Sequence, residues 1–244
     1  MREPNPAAGR VALITGASSG VGRATAVSLS RVCEVVHLVG RDAVRLGQTA
    51  AAATKFSKVI EWSIDLIVED NLEPLVRQLE ESHGRLDILV HSAGVFIQNP
   101  LEQAKIQDLD HQYTANVRAP YLLTQRLLPL LAAAQGQVVF INSSAAVTAK
   151  RPEIGQYAAS KHALKAIADS LREEVNSKGI RVLTVYLGRT ATPMQEAIHK
   201  LEGRAYTPET LLQPDDIATM VVQALMLPRT AEVTDISIRP MRRM

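Results

Sequence analysis

Cysteine is nearly absent from this chain. Cys33 is the only one, so no intrachain disulfide can form and a disulfide-stapled secreted scaffold is excluded. Aromatic residues make up only 4%, too few for a platform on which nucleic-acid bases could stack. Charge of one sign is also lacking: 27 basic against 25 acidic residues leave a net charge of +2. The basic residues are scattered apart from the closing RPMRRM, which reads as a solvated end, so no footprint for a nucleic-acid partner is present. Long apolar runs are missing as well. ILV at 88–90 and LLPLLAAA at 127–134 are too short or interrupted to cross a bilayer, and MREPNPAAGR has no apolar signal core. Asn142-Ser143-Ser144 fits a glycosylation acceptor but reads as accidental without a secretory route. The expectation is a soluble cytoplasmic protein with no nucleic-acid, membrane or metal partner.

What the sequence does have is alternation. Short runs rich in Val, Ile and Leu stand at 11–15, 35–39, 58–64, 86–92, 137–143, 180–186 and 231–238. Each is nearly continuous in apolar character, as a strand is when helices cover both faces of a parallel sheet. Amphipathic, helix-like stretches lie between them: the one after VALIT, then 43–53, 69–82, 102–133, 154–178 and 214–227. No repeat, low-complexity tract or Pro/Gly-rich linker divides the 244 residues. This pattern predicts an α/β chain of a single domain, 1–244, with a flexible N-terminus over about 1–9. The fold expected is a Rossmann-type, doubly wound, seven-stranded parallel sheet flanked by helices on both faces. Such sheets bind ligands beyond the carboxyl ends of their strands.

The residues at those ends carry chemistry. TGASSGVG, 15–22, follows the first strand and opens a helix. Gly16, Gly20 and Gly22 allow a sharp turn and close approach to a pyrophosphate, with Ser18, Ser19 and Val21 between them. The second strand ends in Gly40 and Arg41, where a dinucleotide lacking a 2′-phosphate would usually meet a carboxylate. A guanidinium suits the phosphate, and Asp42 falls where it caps the next helix; the plainer reading of Arg41 is an exposed arginine. Asp65, followed by Leu66, can accept from an adenine amino group or cap a helix. Ser92, Ala93 and Gly94 close the fourth strand with small residues that suit a flat ligand. Ser143 and Ser144 end the fifth, and the helix beyond carries Tyr157 and Lys161 one turn apart. Hydride transfer at a carbonyl or alcohol needs a proton donor or acceptor at the oxygen. Tyrosine fills that role if its pKa falls well below about 10, which a lysine ammonium and an oxidised nicotinamide would favour. A serine hydroxyl can hold the carbonyl oxygen in line.

Together these motifs resemble the short-chain dehydrogenase/reductase family in its compact single-domain branch, from Val11 to Pro240. TGASSGVG matches the family's TGxxxGxG and YAASK its YxxxK. The resemblance implies a nicotinamide-dependent oxidoreductase interconverting a carbonyl and a secondary alcohol; Arg41 favours NADP(H) over NAD(H), and with it the reducing direction. Tyr157 would be the acid/base and Lys161 its modulator and ribose anchor. Ser144, at the family's spacing from Tyr157, would be the carbonyl-oxygen donor in preference to Ser143. Asn116 would hold a water in a proton relay. In YLGRTATP, similar to the family's PGxxxT, Thr192 with Gly188 and Thr190 would contact the cofactor. The resemblance also implies a homodimer or homotetramer, for which the Ala- and Leu-rich stretches 102–133 and 154–178 offer a second apolar stripe. A substrate flap would span about 193–212.

Three departures bear on rigidity. Ser92 replaces an Asn, Leu187 a Pro, and Cys33 a glycine that often ends the first helix, so its turn must close differently or hold Cys33 at positive φ. The pocket walls, Val95, Phe96, Ala145, Ala146, Pro152 to Ile154 and Leu187, are mostly apolar, which suits a neutral or hydrophobic carbonyl compound; the alternative is that several of them are simply core. Other readings are an NAD(H)-dependent dehydrogenase of the same fold, a non-catalytic nucleotide sensor or scaffold, and a sugar-nucleotide epimerase or dehydratase. The last would normally need an added substrate domain, for which the chain is short.

Overall fold

The computed structural model describes residues 9–149 and 151–241. The flexible end expected over about 1–9 therefore lies, apart from Gly9, outside the described residues, as do 242–244 of the basic tail. Seven strands form one parallel sheet in the order β3-β2-β1-β4-β5-β6-β7. They are β1 (Val11–Thr15), β2 (Val35–Gly40), β3 (Lys58–Ser63), β4 (Ile88–His91), β5 (Gln137–Ser143), β6 (Arg181–Leu187) and β7 (Asp235–Ile238). The helices are α1 (Gly20–Leu29), α2 (Ala43–Ala53), α3 (Leu72–His83), α4 (Ile106–Tyr113), α5 (Ala119–Ala134), α6 (Gly155–Val175), α7 (Pro193–Leu201) and α8 (Pro214–Leu225). The chain order reverses between β1 and β4, and a crevice opens there beyond the strand ends.

Alternate residues along each strand feed two separate cores. Val11 and Leu13 pack with leucines of α3, α5 and α6 on one face. Ala12 and Ile14 pack with α1, α2 and α8 on the other. Burial of both faces explains why β1, β2, β4 and β5 read as continuous apolar runs. The edge strands β3 and β7 are partly exposed instead. Among the described residues no helix is long and apolar enough to cross a membrane.

The apolar stretch 102–133 is not one helix. A π turn, Thr114–Arg118, separates α4 from α5, whose first turn holds Pro120. The stretch 231–238 pairs only over Asp235–Ile238, where β6 offers Thr184–Leu187. The second apolar stripe on α5 is mostly covered: Leu122 and Leu128 pack against the core, and Tyr121 is the large side chain left exposed.

The three departures are each accommodated. Helix α1 closes at Ser30 in the right-handed region, with Arg31 and Val32 donating to the carbonyls of Ser28 and Leu29. Cys33 is not among the residues at positive φ; it is buried, and burial pushes its thiol up to about 12. Gly188 N–H donates to Ile238 O (2.8 Å), so β7 holds the turn that a proline would otherwise stiffen. The Thr15 hydroxyl accepts from the N–H groups of Ser92 (3.1 Å) and Ala93 (3.2 Å), tying the end of β4 to β1 without an Asn at position 92.

Candidate active site

The loops that follow β1 to β6 enclose a cleft of about 540 Å³. Its floor depends on glycine. Gly16 sits at φ +66°, and a Cβ there would lie 2.7 Å from Ala93 N and 2.8 Å from Ser92 O. A Cβ on Gly22 would strike the Gly16 carbonyl oxygen, so α1 begins hard against the loop. Ala17 N–H donates to Val39 O (3.0 Å) and the Thr49 hydroxyl to Ala17 O (3.0 Å), which fixes the loop from β2 and α2. Ser19 caps α1 with no side-chain hydrogen bond, leaving the N-terminal amides of α1 turned to the cleft without that partner.

At the end of β2, the guanidinium of Arg41 lies 3.9 Å from the Asp65 carboxylate, a weak contact, and is 64% exposed. Asp42 is committed to its helix, accepting from Arg45 N (3.0 Å) and Arg45 Nε (2.6 Å). These bonds hold its carboxyl below the usual range. Asp65 also accepts from Ile67 N (3.2 Å). The carboxylate nearest the end of β2 is thus already bonded, while Arg41 keeps its donors.

Tyr157 and Lys161 share one face of α6. Burial pushes the Tyr157 phenol above its ordinary value, partly offset by a hydrogen bond with Ser143. This direction is opposite to the lowering expected from the lysine. The reason is burial, which also drives the Lys161 ammonium down to about 8, leaving less charge to stabilise a phenolate. The Lys161 nitrogen lies 5.8 Å from the Tyr157 ring centre and has no hydrogen-bond partner among the described residues. Phe96 packs edge-on against Tyr157 at 4.8 Å.

Of the two serines, Ser143 accepts from Ala145 N through its hydroxyl (3.1 Å) and lies near enough to Tyr157 to act against the effect of burial on the phenol. Ser144 is exposed and lines the same cleft. Asn116, in the π turn, is fully buried behind the cleft wall. Its amide accepts from Val95 N (2.8 Å) and donates to Val95 O and Ser160 Oγ (both 3.0 Å). The side chain clamps the chain leaving β4, and both of its N–H bonds are taken.

Beyond β6, Thr190 Oγ1 donates to Gly188 O (3.0 Å) and Thr192 caps α7, accepting from Gln195 N (3.2 Å). Of the residues singled out in the sequence, Gly16, Ser18, Ser19, Gly20, Val21, Arg41, Asp65, Leu66, Ser92, Ala93 and Gly94 line the cleft. So do Ser144, Tyr157, Lys161, Gly188, Thr190 and Thr192. Gly22 and Asn116 do not; they support it from beneath and behind.

A dinucleotide fits these residues. The cradle at Gly16 would be filled by any Cβ, α1 turns its amides toward it, and Lys161 holds an ammonium without a partner in the cleft wall. Family comparison agrees, since the short chain dehydrogenase profile matches residues 10–203. The chain belongs to the short-chain dehydrogenase family.

Within this family, an uncharacterized oxidoreductase of Staphylococcus epidermidis is 31% identical over 232 residues, covering 95% of this chain and 97% of the relative. A metagenomic short-chain oxidoreductase solved in complex with NADP superposes with a TM-score of 0.81 at 28% identity, covering 98% of this chain and 100% of that one. A short-chain dehydrogenase of Shigella flexneri, also complexed with NADP, gives a TM-score of 0.84 at 28% identity, covering 96% and 99%.

The sequence reading missed two cleft residues of this short-chain dehydrogenase, Arg151 and Arg189. Both follow strand ends, which is the signal that could have found them: Arg151 on the loop between β5 and α6, Arg189 just after β6. They add two charged side chains to a wall that the sequence suggested to be mostly apolar.

Proposed function

We propose that this short-chain dehydrogenase is an NADP(H)-dependent reductase of carbonyl compounds, producing secondary alcohols. The observation that carries the reading is the meeting of Tyr157, Ser143 and Lys161 in the same cleft as the Gly16 cradle and Arg41. The dinucleotide would rest on the β1–α1 loop, with Arg41 at the 2′-phosphate and Asp65 at the adenine. Lys161 would hold the nicotinamide ribose, and the loop 188–192 the far end. When bound and reduced, the nicotinamide supplies a hydride to the carbonyl carbon.

The chain's own residues handle the proton. Tyr157, half-buried in the cleft wall and with its phenol raised above the ordinary value, is suited to donate a proton to the carbonyl oxygen, and the phenolate then recovers one from solvent. A phenol raised by burial is a better match to this reducing direction than to alcohol oxidation, which needs the phenolate. Ser144, which lines the cleft and has the family's spacing from Tyr157, would donate to the carbonyl oxygen, with Ser143 beside it. Asn116 acts through Val95 by fixing the cleft wall rather than by meeting substrate. Segment 193–212, which contains α7, would cover the substrate. Assembly of copies into a dimer or tetramer, as the family resemblance implies, would complete the reading.

The test is titration with NADPH and NADH separately, followed by nicotinamide fluorescence, and then addition of a panel of ketones and aldehydes. Tighter binding of NADPH and its oxidation by at least one carbonyl compound are expected. Failure to bind either nucleotide would overturn the reading.

A further inference from the structure

Three arginines gather around one carboxylate at the side of the cleft away from Arg41. Glu202, 9% exposed at the end of α7, accepts from Arg189 NH2 at 2.9 and 3.2 Å. Arg151 NH2 also bonds Glu202 and donates to Gln98 Oε1 (2.9 Å), and Arg204 Nε stands 3.7 Å from the same carboxylate. Glu153 is close enough to act on Arg151, and its carboxylate accepts from Gln98 Nε2 (2.7 Å). Even with Glu153 counted, positive charge is in excess. Burial and mutual repulsion both act against the charged form of Arg151 and Arg189. One nitrogen of Arg189, Nη1, is shut off from solvent with no acceptor among the described residues. Buried donors without acceptors are rare, and at a cleft wall they mark a place where a ligand can supply one.

Arg151 and Arg189 both line the cleft that holds Tyr157. Arg151 lies on the loop leading from Ser144 into α6, and Arg189 on the loop after β6. The phosphate-binding loop follows β1, with β4 and β5 between it and β6 in the sheet. The cluster therefore faces the substrate end of the cleft and not the nucleotide phosphates. Around it the wall is apolar, from Phe96, Ile154, Met194 and Ile198.

We infer that Arg151 and Arg189 form a carboxylate-binding anchor, and that the substrate is an oxo acid with an apolar body. Its carboxylate would bind the guanidinium forks beside Glu202, which holds them in place while leaving their charge in excess. This rests on the reductase reading for the carbonyl, and it names the other end of the same molecule. The plainer alternative is that the arginines only fasten α7 to the cleft wall through Glu202.

The experiment compares aromatic and aliphatic oxo acids with their methyl esters as substrates at saturating NADPH. Alongside it, calorimetry compares phenylacetate with phenylacetamide as non-reducible ligands. The acid is expected to exceed its ester in kcat/KM by about tenfold or more, and Arg151→Gln to lower the acid's value about 100-fold, chiefly through KM, erasing the preference. Phenylacetate should bind and phenylacetamide should not, with phenylacetate binding lost in Arg151→Gln. Glu202→Gln, which removes the competing carboxylate, should tighten phenylacetate binding. Equal turnover of acid and ester, or equal binding of phenylacetate and phenylacetamide, would overturn the inference and leave the clasp as the role of these residues. If no carbonyl compound is reduced with either nucleotide, the reductase reading fails, and the calorimetric arm still decides whether this anchor binds a carboxylate.

Discussion

Arg41 shows how much a single side chain can decide. Its one nearby carboxylate is 3.9 Å away, so it gives up little on binding a phosphate, while Asp42 is already taken by Arg45. Replacing Arg41 by Ala should weaken NADPH binding by about 10- to 100-fold and leave NADH binding within about threefold, measured by fluorescence titration. A loss shared equally by both nucleotides would remove Arg41 from the 2′-phosphate. This residue was legible in the sequence because its position is fixed by the end of one strand. Arg151 and Arg189 were not, because neither means much alone; they meet only once the loops after β5 and β6 and the end of α7 converge on Glu202.

The elements around the cleft are joined by few but buried bonds. The Thr15 hydroxyl serves three partners, accepting from Ser92 N and Ala93 N and donating to Val90 O (3.3 Å). Thr15→Val keeps the shape but leaves backbone groups of the β4 end without that partner. Urea denaturation should show a loss of about 2–4 kcal/mol, and NADPH binding should weaken with it, because the Gly16 cradle rests on Ser92 and Ala93. A loss under about 0.5 kcal/mol would mean that the β4 end is held by other contacts. Strands and helices were largely visible from apolar patterning, to the extent that 43–53 and 137–143 coincide with α2 and β5. The π turn at Thr114–Arg118 was hidden, since one extra residue per turn barely disturbs an already apolar helical pattern. The brevity of β7 was hidden too, because its length is set by what β6 presents rather than by its own residues.

Over the whole molecule, buried histidines couple the fold to pH. His37 lies under α3 and accepts from Trp62 Nε1 (3.2 Å), with His83 Nε2 at 3.1 Å from its other nitrogen. Burial pushes His37 down to about 4, with His83 and Lys58 acting in the same direction. His91, stacked on Phe140 and bonded to Thr124 Oγ1 (2.8 Å), is pushed by burial down to about 3. Both rings are neutral when folded and charged when unfolded below about 6.5, so the unfolded chain binds more protons in that window. Stability should therefore be complete above pH 6.5 and fall as pH drops toward 4. Between pH 6 and 5 the slope should approach two protons, about 2.7 kcal/mol per pH unit, read from urea unfolding across that range. A slope below about half a proton would show that these rings charge in place. The sequence indicated the sheet, its cleft and the chemistry at its strand ends. It could not indicate which histidines the two cores enclose, since that depends on how the helices cover each face.

In the proposed function, Tyr157 moves the proton in reduction of a carbonyl by NADPH. Its most direct measurement is single-turnover oxidation of bound NADPH by a reducible ketone or oxo acid, in the natural protein and in Tyr157→Phe side by side. The variant is expected to bind NADPH still and to slow its oxidation by about 100- to 10,000-fold. Oxidation within about tenfold of the natural rate would contradict it.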